Sequence, residues 1–170
     1  MRIAGITYES FVDGPGLRVV VFAQGCDMGC PDCHNPESWD MDGGEEYTPQ
    51  QLVRKIKKPQ KGCGVIRGVT FSGGEPFLQA ADFALVAKAV KKLGWDVTTY
   101  TGYTYEELAA RTQDEGVQAL LAVTDYLIDG PFVVEEKDLE LRFRGSGNQR
   151  IIDMHATREN GGVVVVCREQ

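Results

Sequence analysis

Short apolar runs alternate along the chain with longer segments of helical periodicity. Residues 17–23 are apolar apart from Arg18, a pattern typical of a strand buried on both faces of a parallel sheet. Residues 39–46 are polar and contain glycine, so we expect them to form a mobile connection between elements. Further strands are predicted over residues 3–7, 65–71, 95–101, 126–129 and 163–166.

Two helix starts carry the capping-box pattern, in which a threonine is followed three residues later by Glu or Gln. The two pairs are Thr48 with Gln51 and Thr104 with Glu107. Pro59 is expected to end the first of these helices. A further helical stretch is predicted around residues 117–121 from its apolar spacing.

Apolar side chains between residues 78 and 93 recur with the spacing of one helix face. They are Leu78, Ala81, Leu85, Ala89 and Leu93. We expect this stripe to pack on the sheet, and Gly94 to end the helix.

Strand and helix therefore alternate several times, as in right-handed βα units built around a parallel sheet. Roughly four or five such units are predicted, fewer than the eight of a closed barrel. The expected fold class is α/β, an open partial (βα) barrel with a parallel sheet. The length of 170 residues favours a single domain over residues 1–170.

Three of the five cysteines lie within eight residues, directly after the strand predicted over residues 17–23. Cys26, Cys30 and Cys33 have the spacing C-x3-C-x2-C, and a glycine-containing loop can curl their side chains around one metal centre. Iron-sulfur clusters are held mainly by cysteine thiolates. With three protein ligands, one iron of a cubane cluster stays open for another molecule.

Two other interpretations of this loop stay open. A structural zinc ion takes four protein ligands, and Cys63, Cys167, His34 or His155 would have to supply the fourth. The spacing, however, differs from that of paired C-x2-C ribbons. The cysteines could also be an incidental group of small buried residues.

A glycine-rich segment, Ser72-Gly73-Gly74-Glu75-Pro76, follows the strand predicted over residues 65–71. Glycines without Cβ atoms allow the backbone to approach a ligand closely, and unpaired amide and carbonyl groups there could bind a zwitterion. A tight turn from strand to helix would need the same glycines. The residues alone leave both interpretations open.

Acidic residues outnumber basic ones by 25 to 18, which gives a net charge of −7. This balance argues against direct binding of nucleic acid. The first residues lack the apolar core of a signal peptide, and no later segment is long enough to span a bilayer. We therefore expect a cytoplasmic protein, in which clustered cysteines serve metal or redox chemistry rather than disulfides.

The cysteine spacing resembles that of radical S-adenosylmethionine (SAM) enzymes. Further motifs narrow the resemblance to the activating proteins of anaerobic (class III) ribonucleoside-triphosphate reductase, which are glycyl-radical-enzyme activases. These motifs are Asp-Gly-Pro-Gly at 13–16, Cys-His-Asn-Pro at 33–36, Ser-Gly-Gly-Glu-Pro at 72–76, Tyr-Thr-Gly-Tyr at 100–103, Asp-Gly-Pro-Phe at 129–132 and Arg-Gly-Ser-Gly-Asn-Gln-Arg at 144–150. The resemblance covers residues 2–152.

The resemblance implies that Cys26, Cys30 and Cys33 hold a [4Fe-4S] cluster whose fourth iron binds SAM. Reductive cleavage of SAM would give a 5′-deoxyadenosyl radical that takes a hydrogen atom from a glycine of the large reductase subunit. A flavodoxin or ferredoxin-type donor would supply the electron. No protein acid, base or nucleophile is implied, which agrees with a chain that has two histidines and no recognisable triad.

The resemblance also implies that residues Ser72, Gly73, Gly74 and Glu75 bind the methionyl amino group of SAM. In the superfamily an aromatic residue usually precedes the third cysteine and lies near the adenine, but Asp32 stands there in this chain. We expect His34 to take over that contact, so that Asp32, Cys33 and His34 form the adenine edge. Roles in SAM contact or reductase docking are implied for Asp129, Arg142, Arg144, Asn148, Gln149 and Arg150.

Other functions remain compatible with the residues. The chain could activate another glycyl-radical enzyme such as a formate-lyase, or it could be a small radical SAM enzyme acting on a free metabolite. It could also be a non-enzymatic electron carrier or a zinc module. A carrier would not need the Ser-Gly-Gly-Glu-Pro segment. Cys63 and Cys167 match no family motif, and we expect them to be incidental.

Overall fold

The computed structural model describes residues 1–58 and 65–166. Its strands form one sheet in the order β3-β1-β2-β4-β5-β6-β7. The strands are β1 Arg2–Ser10, β2 Arg18–Ala23, β3 Glu45–Glu46, β4 Gly68–Gly73, β5 Asp96–Tyr100, β6 Tyr126–Asp129 and β7 Arg150–Asp153. The α-helices are α1 Pro49–Ile56, α2 Ala80–Lys91, α3 Tyr105–Ala110, α4 Glu115–Val123 and α5 Met154–Asn160. Short 3-10 turns cover Pro36–Ser38, Pro76–Gln79 and Val134–Glu136.

The centre of the sheet is parallel, because β2 pairs with β4, β4 with β5 and β5 with β6 in that sense. Both edges are antiparallel, where β1 pairs with β2 and β3, and β7 pairs with β6. The prediction of an α/β open partial barrel is therefore confirmed, with antiparallel edges that the sequence pattern did not indicate.

Several predicted element boundaries were wrong. The strand predicted over residues 65–71 begins at Gly68. The predicted connection over residues 39–46 contains the short edge strand β3. The strand predicted over residues 163–166 is reduced to an isolated bridge between Val165 and Ile152.

Both capping boxes are confirmed. The Thr48 side chain accepts a hydrogen bond from the Gln51 amide at the start of α1, and Thr104 does the same for Glu107 at the start of α3. Helix α1 ends at Ile56, and Pro59 lies outside the described residues.

The apolar stripe from Leu78 to Leu93 does not pack on the sheet, so this prediction was wrong. Leu78, Leu85 and Leu93 are 40%, 52% and 41% exposed. The face of α2 that packs in the core carries other apolar residues, namely Phe83, Ala84, Val86, Ala87 and Val90. Both sides of the helix are apolar, so periodicity alone could not tell which side faces the sheet.

Arg18 at the start of β2 is fully buried and ties the loop after β1 to the sheet. Its guanidinium group donates hydrogen bonds to the Pro15 carbonyl, the Val69 carbonyl and the Thr70 hydroxyl, each at 2.8 Å. It also forms an ion pair of 2.5 Å with Asp96. These bonds fix one end of β2, and the cysteine loop leaves the other end.

Candidate metal centre

The cysteine loop follows the carboxyl end of β2, next to the carboxyl end of the parallel strand β4. This edge is where open α/β sheets bind ligands. On its far side the loop returns through the turn Pro36–Ser38, which is tied to the start of the loop by backbone hydrogen bonds. The Gly25 amide donates to the Ser38 carbonyl at 2.7 Å, and the Cys26 amide donates to the Trp39 carbonyl at 3.3 Å.

The glycine-rich segment after β4 holds the base of the cysteine loop. The Gly74 amide donates to the Ala23 carbonyl and the Glu75 amide to the Gly25 carbonyl, both at 2.8 Å. A Cβ atom at Gly74 would lie 2.3 Å from the Gly25 oxygen, and one at Gly73 would lie 2.7 Å from the Ala23 nitrogen. These glycines are needed because two chain segments meet there without space for side chains.

The Gly74 amide is therefore paired within the chain, which favours the tight turn over zwitterion binding as the use of this N–H group. Ser72, Gly73 and Gly74 are half-buried and lie beside the cysteine loop. Their contact with SAM stays a prediction.

Cys26, Cys30 and Cys33 are half-buried free thiols. The Cys33 amide donates to the Cys30 carbonyl at 3.3 Å, and the Cys33 sulfur accepts a hydrogen bond from the Asn35 amide at 3.4 Å. Within residues 1–58 and 65–166, no three Cys, His, Asp or Glu side chains stand close enough together to hold a metal ion. The donor types suit a cluster bound through three thiolates, but the side chains would have to come closer together to bind it.

The surroundings of Cys26 are negative. Burial raises the pKa of its thiol, and the charges of Glu75, Cys30 and Asp27 act in the same direction, while a backbone hydrogen bond from Met28 opposes them. The positive charge of an iron core at this place would outweigh burial and the nearby negative charges and would favour the thiolate form of Cys26.

The Glu75 side chain is 1% exposed and points into the protein, where it links two segments. Its carboxylate accepts hydrogen bonds from the Phe77 amide at 2.9 Å, the Gly102 amide at 2.8 Å and the Thr101 hydroxyl at 3.0 Å. Burial raises the pKa of Glu75 from its ordinary 4.5 to about 7, against these donors, which favour the charged form. This buried carboxylate joins the glycine-rich segment to the chain after β5.

The segment after β5 in turn contacts the cysteine loop, which the sequence did not indicate. The Met28 side chain lies on Gly102, where a Cβ atom would come within 2.8 Å of its terminal methyl group. The Tyr103 hydroxyl donates to both carboxylate oxygens of Asp27, at 3.3 and 3.4 Å. Arg111 stacks on the Tyr103 ring, 4.0 Å from its centroid.

The predicted adenine edge is exposed, apart from half-buried Cys33. Asp32 has a φ of +53°, a left-handed conformation that non-glycine residues adopt rarely. The His34 ring meets the Phe132 ring edge-on, with 5.2 Å between centroids. Phe132 comes from the loop after β6, so this aromatic pair joins the end of the cysteine motif to that loop.

Of the polar residues in or near the Arg-Gly-Ser-Gly-Asn-Gln-Arg motif at 144–150, Asp129 and Arg150 already pair with each other. Arg150 also forms an ion pair of 2.7 Å with Glu106, and the Asp129 carboxylate accepts from the Tyr105 amide. Gln149 and Asn148 donate to the carbonyls of Gly130 and Pro131. These four residues stabilise the loop between β6 and β7. Arg144 takes part too, through the Gln149 carbonyl, whereas Arg142 is exposed.

The described helices include none that is both long and apolar enough to cross a membrane.

Comparison with known proteins identifies the family of this chain. Residues 12–152 match the model of a 4Fe-4S single cluster domain. Over 146 residues the chain is 37% identical to the anaerobic ribonucleoside-triphosphate reductase-activating protein of Vibrio cholerae, and the match covers 82% of this chain and 90% of that protein. The chain belongs to this family of activating proteins.

Other relatives include the activating protein of the same name from Escherichia coli K12, with 32% identity over 81% of this chain and 89% of that protein. The pyruvate formate-lyase-activating enzyme of Clostridium pasteurianum is 42% identical over 65% of this chain, but the match covers 49% of that enzyme. Among solved structures, QueE from Escherichia coli aligns over 61% of this chain and 53% of that chain, with 19% identity and a TM-score of 0.46.

Proposed function

We propose that this protein activates an anaerobic ribonucleoside-triphosphate reductase through radical chemistry on SAM. The observation that carries the proposal is the loop of Cys26, Cys30 and Cys33 at the carboxyl edge of the sheet, in a chain that belongs to the activating-protein family. We assign this function to one radical SAM domain over residues 1–170.

The three thiolates would hold three irons of a [4Fe-4S] cluster, and the fourth iron would remain open to SAM. When bound and reduced, such a cluster would supply one electron for the reductive cleavage of SAM, and the radical chemistry that follows would remove a hydrogen atom from a glycine of the reductase. The chain itself needs no acid or base for this reaction, so its residues bind, orient and shield the reactants.

Ser72, Gly73 and Gly74 border the cysteine loop and are proposed to bind the amino-acid end of SAM. Asp32, Cys33 and His34 are proposed to bind its adenine, with the His34 ring oriented by Phe132. Glu75 is proposed to serve the same ligand, and its buried carboxylate contributes by accepting the Gly102 and Thr101 hydrogen bonds that shape the site.

The substrate partner is proposed to be the large catalytic subunit of the reductase, whose glycine loop reaches the open edge of the sheet. A flavodoxin or ferredoxin-type protein is proposed as electron donor, and the cytoplasm as location. A second candidate partner is a formate-lyase, favoured by the 42% identity to the Clostridium pasteurianum enzyme over 119 residues.

The test is the release of 5′-deoxyadenosine from SAM by anaerobically reconstituted, reduced protein. Cys26→Ala, Cys30→Ala and Cys33→Ala are each expected to abolish release. Cys63→Ala and Cys167→Ala provide matched controls and should retain it. Retained cleavage in any of the first three variants would contradict the proposal.

A further inference from the structure

The half of the cysteine loop between Cys26 and Cys30 rests on a neighbouring segment, the Tyr-Thr-Gly-Tyr motif at 100–103, for which the resemblance implies no role. Asp27 and Met28 both contact this segment, at Tyr103 and Gly102. The two contacts differ in kind, since one is a pair of hydrogen bonds and the other is close packing.

The supporting segment is itself held from three sides. The Gly102 amide donates to the buried Glu75 carboxylate at 2.8 Å, and the Thr101 amide donates to the Ile128 carbonyl at 2.9 Å. The Tyr103 carbonyl accepts from the Gly130 amide at 2.9 Å. Because these hydrogen bonds fix the backbone around Tyr103, its side chain can position a loop that has little regular structure of its own.

Tyr103 is oriented as well as anchored. The Arg111 guanidinium group stacks 4.0 Å from the centroid of its ring, a favourable cation–π arrangement. Its hydroxyl lies 3.3 and 3.4 Å from the two oxygens of Asp27, so it reaches across 76 residues of sequence to the position directly after the first cysteine.

From this geometry we infer that Tyr103 is a positioning residue, which acts through Asp27 to fix a negative charge beside the metal centre. The inference rests on the proposed function, because it assumes that Cys26 binds the cluster. A fixed carboxylate close to an iron-sulfur cluster disfavours the added electron and lowers its reduction potential. A lower potential makes the reduced cluster a stronger reductant.

The first test uses metal-free protein and hydrogen exchange. In Tyr103→Phe, the amides of Cys26 and Cys33, which donate hydrogen bonds within and beside the cysteine loop, should exchange several-fold faster than in the wild type. Tyr8→Phe is the matched control, because the Tyr8 hydroxyl also makes one 3.3 Å hydrogen bond, to the Lys55 carbonyl far from the cysteine loop. Equal exchange in the wild type and Tyr103→Phe would overturn the positioning role.

The second test measures the reduction potential of the reconstituted cluster without SAM or a partner. Asp27→Asn should shift the potential to more positive values, and Tyr103→Phe should shift it in the same direction. In the Asp27→Asn background, Tyr103→Phe should have no further effect on the potential, because the charged carboxylate through which Tyr103 acts has been removed. A full additional shift in the double variant, or none in Tyr103→Phe, would contradict the inference.

The proposed function and the role of Tyr103 are contradicted by different results. A wild-type protein that binds no cluster or does not cleave SAM contradicts the proposed function, and the exchange experiment still decides whether Tyr103 holds the loop. A wild-type protein that cleaves SAM, with Tyr103→Phe unchanged in exchange and potential, leaves the proposed function in place and overturns the role of Tyr103.

Discussion

The amide of Glu75 donates a hydrogen bond of 2.8 Å to the carbonyl of Gly25, the residue before the first cysteine of the loop. The side chain of the same glutamate accepts from Gly102, which lies under Met28 of that loop. One buried residue therefore connects both the base and the first half of the cysteine loop to the sheet.

Gly74→Ala should impair cluster binding. The added Cβ atom would lie 2.3 Å from the Gly25 oxygen, so the base of the cysteine loop must move. We expect a several-fold lower iron content after reconstitution, measured by iron and sulfide analysis. Gly162→Ala is the matched control, since a Cβ atom there meets nothing within 4 Å. An iron content equal to that of the control would contradict the role given to Gly74.

Glu75→Gln should alter the pH dependence of stability in the metal-free protein. The pKa of Glu75 is raised from 4.5 to about 7 in the folded chain, chiefly by burial. Its contribution to stability is therefore fully present below about pH 4.5 and is lost as the pH rises through about 7. Between about pH 5 and about pH 8 the wild type should lose about 2 to 3 kcal/mol relative to the variant.

Denaturant unfolding followed by circular dichroism, at matched pH values, measures this difference. The comparison between the two proteins cancels the titration of the other carboxylates. If the free energy of unfolding changes with pH in the same way for wild type and Glu75→Gln, Glu75 has an ordinary pKa in the folded chain.

Arg18→Met should destabilise the fold but spare the metal centre. The variant loses hydrogen bonds to Pro15, Val69 and Thr70 and the ion pair with Asp96, all at a fully buried position. We expect a loss of about 3 kcal/mol in the free energy of unfolding. Arg142→Met removes an exposed arginine and should cost little. The same unfolding measurement checks both, and equal stability of the two variants would contradict the anchoring role of Arg18.

His34→Ala and Phe132→Ala should weaken the binding of SAM without affecting that of methionine. The two rings contact each other with 5.2 Å between centroids, and the prediction places adenine beside them. Loss of one aromatic contact should reduce SAM affinity by roughly tenfold in calorimetry of the reconstituted protein. Phe11→Ala, at an exposed phenylalanine, is the control. If the affinity for methionine falls as much as the affinity for SAM, the His34 and Phe132 rings do not contact the adenine.

Local chemistry made much of the fold predictable from sequence. The capping boxes at Thr48 and Thr104 and the strand Tyr126–Asp129 appear where the pattern placed them. The orientation of α2 was not predictable, because Leu85 on one side and Phe83 on the other are both apolar. Only the position of neighbouring elements decides which side is buried.

Cys26, Cys30 and Cys33 could be proposed from sequence because they are close together along the chain, and their role as cluster ligands stays a prediction. The burial of Glu75 and the contact of Tyr103 with Asp27 depend on segments brought together by the sheet. Such contacts leave no periodic or spacing signal in a single sequence.

The central claim is tested most directly by electron paramagnetic resonance. Reconstituted, reduced protein is mixed anaerobically with SAM and the large subunit of an anaerobic ribonucleoside-triphosphate reductase. The account predicts a cluster signal that changes on addition of SAM, followed by a glycyl-radical doublet on the reductase. A SAM-sensitive cluster without the doublet would reject this partner, and a protein that forms no cluster would contradict the account as a whole.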